Sequence, residues 1–176
     1  MKKFININEK YEIRISSTTW IDFYLGKYLP AWVTLEIAEL FIEWQNKKNI
    51  KCRIMSENEF DSLALTLKST KLGNSDFLHY HAMPVGFYND YSEDGVGELF
   101  GNGWELTSTK FRPFPGFKSM EIYSEYSSDF FTDNHYIIKG ASPFTRSCLC
   151  RKSFRNWYQY NYPYHTSKFR LVYDDK

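Results

Sequence analysis

The apolar positions change period part-way along the chain. From Thr34 to about Lys47 they recur at helical spacing, with Ile37, Ala38, Phe41, Trp44 and Gln45 on one face. Leu29-Pro30 should lead in as extended backbone, and Thr34 is placed to cap the first turn. A second helix is predicted from Ser56, where Ser56 and Glu59 stand as a capping box. Its apolar face is Phe60, Leu63, Ala64 and Leu67. Upstream, residues 11–15 (YEIRI) alternate weakly and fit a first strand. After Gly73 no helical period survives, and short apolar pieces alternate with Gly, Asn, Pro and Ser. That is the texture of short strands joined by long ordered loops. With no internal repeat and no linker, the pattern predicts one α+β domain over residues 29–176, preceded by a strand or extension over 1–28. Both helices should pack on a small, irregular, mostly antiparallel sheet, with under a third of the residues helical.

Composition narrows this little. Apolar residues make up 43% of the 176, enough for a core, and the aromatics are abundant at Phe 15, Tyr 14 and Trp 5. Lys+Arg at 22 against Asp+Glu at 21 gives no overall field to steer nucleic acid or force binding to acidic lipid. The first residues lack the apolar core of a secretory signal, and no apolar run approaches the roughly 20 residues of a membrane span. A cytoplasmic location with reduced thiols is therefore expected of the three cysteines. Cys148 and Cys150, two apart, would share one face of a strand, as a metal or redox pair or, more plainly, as two packed thiols.

Charge is unevenly spread. Residues 89–133 carry nine acids, whereas residues 139–170 carry seven basic residues and no acid: Lys139, Arg146, Arg151, Lys152, Arg155, Lys168 and Arg170. The basic run is interleaved with Phe154, Trp157, Tyr158, Tyr160, Tyr162, Tyr164 and Phe169. Such a mixture suits a single-stranded nucleic-acid groove or a pocket that forks arginines onto amino-acid carboxylates. It equally suits arginines paired with the acidic segment over an aromatic core.

Seven stretches, in order from Leu29 to Leu171, carry a resemblance: LPAWVTLEIAELFIEW (29–44), RIMSENEF (53–60), GNSDFLHYHAMPVG (73–86), GNGWELT (101–107), FRPFPGF (111–117), YSEYSSDFFTDNHYIIKGAS (123–142) and SFRNWYQYNYPYHTSKFRL (153–171). They resemble the C-terminal domain of ovothiol- and ergothioneine-type sulfoxide synthases, within the superfamily of formylglycine-generating enzymes. The resemblance implies a C-type-lectin-like α+β fold. In the synthases it implies coupling of a cysteine-type thiol to a histidine-type imidazole with O2, at a non-haem iron held by three histidines. Those ligands lie mostly in a DinB-like helical domain carrying HxxxHxE, a motif this sequence lacks; its histidines are His79, His81, His135 and His165. His79 and His81 could place two imidazoles on one face of a strand, without a third ligand nearby to complete an iron triad. The two copper-holding cysteines of formylglycine-generating enzymes fall on Thr145 and Cys150, leaving a lone thiolate. The isolated chain is therefore expected to hold neither iron nor copper tightly.

Other departures matter as much. Leu106, Ala141, Pro143 and Lys168 replace a Trp, a Gly, a Trp and a Gly of the family signatures, and Tyr158 and Tyr162 stand where the ergothioneine branch keeps a charged substrate clamp. The charged clamp is not carried over, whereas Arg155, Asn156 and Trp157 match the family; the candidate substrate surface is Arg151, Arg155, Asn156, Trp157, Tyr158 and Tyr162. Opposite it, Tyr123 or Tyr126 corresponds to a proton-donating tyrosine. It also suggests calcium held through Asn102 and Glu105, set against the plainer roles of a turn brace and an arginine partner. The expected function is thus the substrate-side half of a sulfoxide synthase, as a split subunit or an inactive relative. Its partner would be an iron-binding DinB-like chain or a second copy, and its ligand a small amino acid or thiol. The alternative is a non-catalytic lectin-like module that binds a ligand or protein.

Overall fold

A computed structural model describes residues 9–15, 19–66, 72–88 and 95–174. The chain opens with a hairpin, β1 (Glu12–Arg14) antiparallel to β2 (Trp20–Asp22). A single turn, α1 (Phe23–Gly26), follows, and the Asp22 carboxylate accepts the Tyr24 N–H at 2.7 Å to cap it.

The first long helix, α2 (Leu35–Lys47), starts where the sequence signals it, with Thr34 Oγ1 accepting the Ile37 N–H at 3.3 Å. Its buried face differs from the predicted one. Leu35, Ala38 and Ile42 enter the core, whereas Phe41 and Trp44 stay 38% and 46% exposed. The helix is apolar on most sides, so periodicity alone leaves its rotation open. The second long helix, α3 (Glu57–Thr66), begins with the full capping box: Ser56 N–H donates to Glu59 at 2.7 Å, and Glu59 N–H to Ser56 Oγ at 3.3 Å. Arg53 forks onto the same Glu59 carboxylate at 2.6 and 2.9 Å, which together with the Ser56 N–H bond holds it down at about 2. Phe60 and Ala64 are buried and Leu63 half-buried; Leu67 lies outside the described residues.

The two helices cover opposite faces of one four-stranded sheet, ordered β6 (Asn156–Gln159), β5 (His135–Ala141), β4 (Gly103–Lys110), β7 (Ser167–Lys168). The β4–β5 and β5–β6 pairs are antiparallel and β4–β7 is parallel. A small antiparallel pair of β3 (Arg53–Ile54) and β8 (Leu171–Val172) closes the C-terminal end. Pleating assigns the core. Trp104, Leu106 and Ile138 meet Leu35, Ala38 and Ile42 on the α2 side, while Phe60, Ala64, Met55, Leu99 and Phe100 pack on the α3 side. At Gly140, with φ 82°, a Cβ would come within 2.3 Å of the Leu99 carbonyl, so only glycine lets the loop lie this close. No helix among the described residues is long and apolar enough to cross a membrane.

Candidate functional site

Beyond the end of β4 the chain keeps one more sheet bond, Phe111 N–H to the His135 carbonyl at 2.8 Å, and then leaves the sheet. Phe114-Pro115-Gly116-Phe117 folds into a turn closed by Phe117 N–H on the Phe114 carbonyl at 3.0 Å, with Gly116 at φ 81°. Proline second and a left-handed glycine third fit a type II turn, and it brings Phe117 back over the sheet edge. The result is an open cavity of about 250 Å³ walled by Phe111, Phe114, Phe117, Phe131 and Trp157, with Tyr126, Ser127, Pro113 and Arg155 completing its rim. Its floor is the Phe111–Trp157 stack, centroids 4.2 Å apart and 7° from parallel.

Arg155 forms the polar edge of this aromatic box, and its fork faces inward. Nε and Nη2 donate to the two oxygens of Glu57 at 2.7 and 3.0 Å, and Nη1 donates to the Arg112 carbonyl at 3.1 Å. Its guanidinium also lies over the Phe114 ring at 4.2 Å and near Phe111 at 5.5 Å. Glu57 opens α3 and is buried. Lys139 stands beneath it, 3.7 Å from Glu57 and 3.0 Å from Asp61, and donates to the Lys152 carbonyl. Two acids and two bases thus balance below an apolar cavity.

The expected binding residues do not form one surface. Arg155 and Trp157 face the cavity, while strand alternation turns Tyr158 to the other side of the sheet. There it stacks on Tyr162 at 5.2 Å and packs on His165 at 4.9 Å, and burial raises the Tyr158 phenol. Asn156 spends its side-chain oxygen on the Trp157 N–H at 2.8 Å. Arg151 is exposed, lying near the Phe154 ring. Of the two candidate tyrosines, Tyr126 lines the cavity and Tyr123 packs on it from outside at 5.8 Å.

The basic run does not present one field either. Lys139 and Lys168 are buried on acids; Arg155 pairs with Glu57, Arg170 with Glu105 and Arg146 with Asp76. Of the readings open in the sequence, these pairings match the one in which the arginines are spent on acids, Arg170 on Glu105 of the acidic segment among them. Cys148 and Cys150 flank the end of a 3₁₀ turn rather than sharing a strand face; Cys148 is exposed, and burial pushes the half-buried Cys150 thiol up.

Asn102 and Glu105 are both spent on internal partners, linked through Glu98, which accepts from Asn102 and from Lys168. Asn102 accepts the Met83 N–H at 2.7 Å and donates to the Met83 carbonyl at 2.8 Å, bracing that turn. Glu105 is fully buried beside Lys168 and accepts Arg170 Nε at 2.9 Å. Burial works against its charge, but Arg170 and Lys168 outweigh it and hold the carboxyl below the usual range. Among the described residues no three His, Cys, Asp or Glu side chains gather as a metal site.

No protein-family profile matches the chain. It is 43% identical over 102 residues to ergothioneine biosynthesis protein 1 of Neurospora crassa, and 37% identical over 95 residues to hercynine oxygenase of Mycobacterium tuberculosis. Over about half its length the chain is similar to these two ergothioneine-biosynthesis proteins. The matches cover 57% and 52% of this chain but only 11% and 21% of those proteins. In three dimensions it superposes on PvdO from Pseudomonas aeruginosa with a TM-score of 0.62, over 93% of this chain and 68% of that one. At 17% identity that likeness shows the fold alone, which is the lectin-like one of the formylglycine-generating enzymes.

Sequence reading had missed Glu57, Phe111, Phe114, Phe117 and Phe131 as parts of the site. The FRPFPGF motif held three of them and its Pro-Gly turn was the available signal. Glu57 had none, since its partner lies 98 residues away.

Proposed function

We propose that this chain supplies the substrate-side wall of a thiol–imidazole sulfoxide synthase, with the aromatic cavity between Phe117 and Trp157 holding the imidazole-bearing substrate. The observation that carries the reading is the open cavity lined by Phe111, Phe114, Phe117, Phe131 and Trp157, an aromatic lining suited to a flat ring. Homology to proteins named for ergothioneine biosynthesis and hercynine supports it. The four histidines include no three-ligand cluster among the described residues, and the cavity's own lining carries no histidine, cysteine or carboxylate. Iron would come with a companion domain or partner chain that covers the open side. Here the cavity's own work is to bind, orient and shed water. Tyr126, which lines the cavity rim, is the tyrosine that would hand a proton to a bound substrate on this reading.

The Glu57 pairing also favours a second reading. Because the Arg155 fork is occupied, the cavity lacks a free carboxylate clamp, which suits a non-catalytic module that binds apolar rings. Calorimetric titration with hercynine, and separately with a small thiol, tests the first reading. Hercynine should bind and Phe117→Ala should weaken it at least tenfold, with Leu65→Ala, on exposed α3 surface, unchanged. Equal binding by both variants, or none at millimolar ligand, overturns the site.

A further inference from the structure

A second, unrelated cluster lies on the loop between Gly73 and Gly86. Here Asn74, with no exposure at all, acts as a staple: its side-chain oxygen accepts the His79 N–H at 3.1 Å, and its amide donates to the His81 carbonyl at 2.8 Å. Asn102 pins the following residue pair in the same way through both polar groups of Met83. Two buried asparagines thus fix the backbone that carries His79 and His81. The corresponding turn replaces the strand expected from sequence, yet the two rings still come together, centroids 6.1 Å apart and 34° from parallel. His81 Nδ1 lies 2.9 Å from the Ala82 carbonyl and donates to it, which leaves Nε2 as the nitrogen available to an ion. Histidines that hold metals are oriented in this manner, by a carbonyl on the other nitrogen. His79 is braced edge-on by Phe87 at 6.3 Å.

The spacing is decisive. With a metal–nitrogen bond of about 2.0–2.1 Å and a ring radius of about 1.2 Å, each centroid stands about 3.2 Å from the ion. Two imidazoles on one ion then have centroids about 5.2 Å apart at the tetrahedral angle and at most about 6.4 Å when opposed. The observed separation falls within that limit.

We propose that His79 and His81 form a two-imidazole site for a borderline divalent cation of the zinc and copper(II) kind, with water completing the coordination. Imidazole suits these ions, and two ligands give an exchangeable site rather than a permanent one. The site is separate from the aromatic cavity, shares no residue with it and does not rest on the synthase reading. Titration of the metal-free chain with zinc sulfate is the test, with magnesium as the control ion. One equivalent of zinc should bind in the micromolar range and magnesium should not. His79→Ala and His81→Ala should each weaken zinc at least tenfold while the circular dichroism spectrum is unchanged, and His135→Ala should bind as wild type. No uptake at about 100 µM, unchanged affinity in both variants, or equal loss in His135→Ala overturns the proposal. So does a zinc-dependent change confined to Cys148 and Cys150, read by thiol reactivity.

Discussion

Replacing Arg155 by alanine separates a structural arginine from a free recognition group. The Glu57 carboxylate is buried, and Arg155 supplies two of its contacts at 2.7 and 3.0 Å. Without Arg155, Glu57 keeps, among the described residues, the more distant Lys139 ammonium at 3.7 Å. Breaking one side of a buried ion pair costs about 3–5 kcal/mol, because the survivor is left uncompensated. The guanidinium also leaves the Phe114 ring, a smaller loss. For a domain of this size each kcal/mol lowers Tm by about 2–4 °C, so a fall of roughly 6 °C or more is expected. Urea unfolding should confirm it with an unchanged m-value. Arg155→Ala/Glu57→Ala should be at least about 1 kcal/mol less destabilised than the sum of the single changes, since removing both charges leaves neither stranded. A melting temperature within 2 °C of wild type, or strictly additive losses, would refute the inward fork.

Three further outcomes follow from the core and from titration. Ile42→Ala should cost about 2–5 kcal/mol and Phe41→Ala clearly less, read by urea denaturation; the reverse order would restore the face expected from periodicity. Burial holds His165 down at about 4, so the folded state resists protonation there. Between about pH 6.5 and 4 the unfolded chain binds the extra proton, and stability should fall with pH across that window. His165→Gln should flatten this fall, and an unchanged pH slope would count against a neutral buried imidazole. Glu59, held at about 2, contributes stability above its ordinary value near 4.5 that is lost as pH falls toward 2. Glu59→Gln should remove that part of the acid limb in a pH series of melts.

How much was legible in the chain depended on how local the cause was. The starts of α2 and α3 were readable because Thr34, Ser56 and Glu59 act within three residues of their partners. The Pro115-Gly116 turn is local too. The rotation of α2 was not readable: Leu35, Ala38 and Ile42 compete with an equally apolar stripe, and only the packing against Trp104 and Ile138 decides. Arg155 and Trp157 line the aromatic cavity, whereas the two-residue period of β6 turns Tyr158 to the opposite face, where Tyr162 stacks on it; that division was not legible in a linear reading. The basic run left its readings undecided for a related reason. Its compensating acids Glu57, Asp76 and Glu105 come from distant segments, and linear charge counting cannot see them.

The account turns on whether the aromatic cavity binds an imidazole ring. A ¹⁵N-labelled sample titrated with hercynine, followed by two-dimensional NMR, tests this most directly, because each of the five tryptophans gives its own indole signal. The Trp157 indole and the Phe117 and Tyr126 amides should shift together along one saturable curve. Saturable shifts confined to Tyr158, Tyr162 and His165 on the other sheet face, or no shifts at millimolar hercynine, would contradict it.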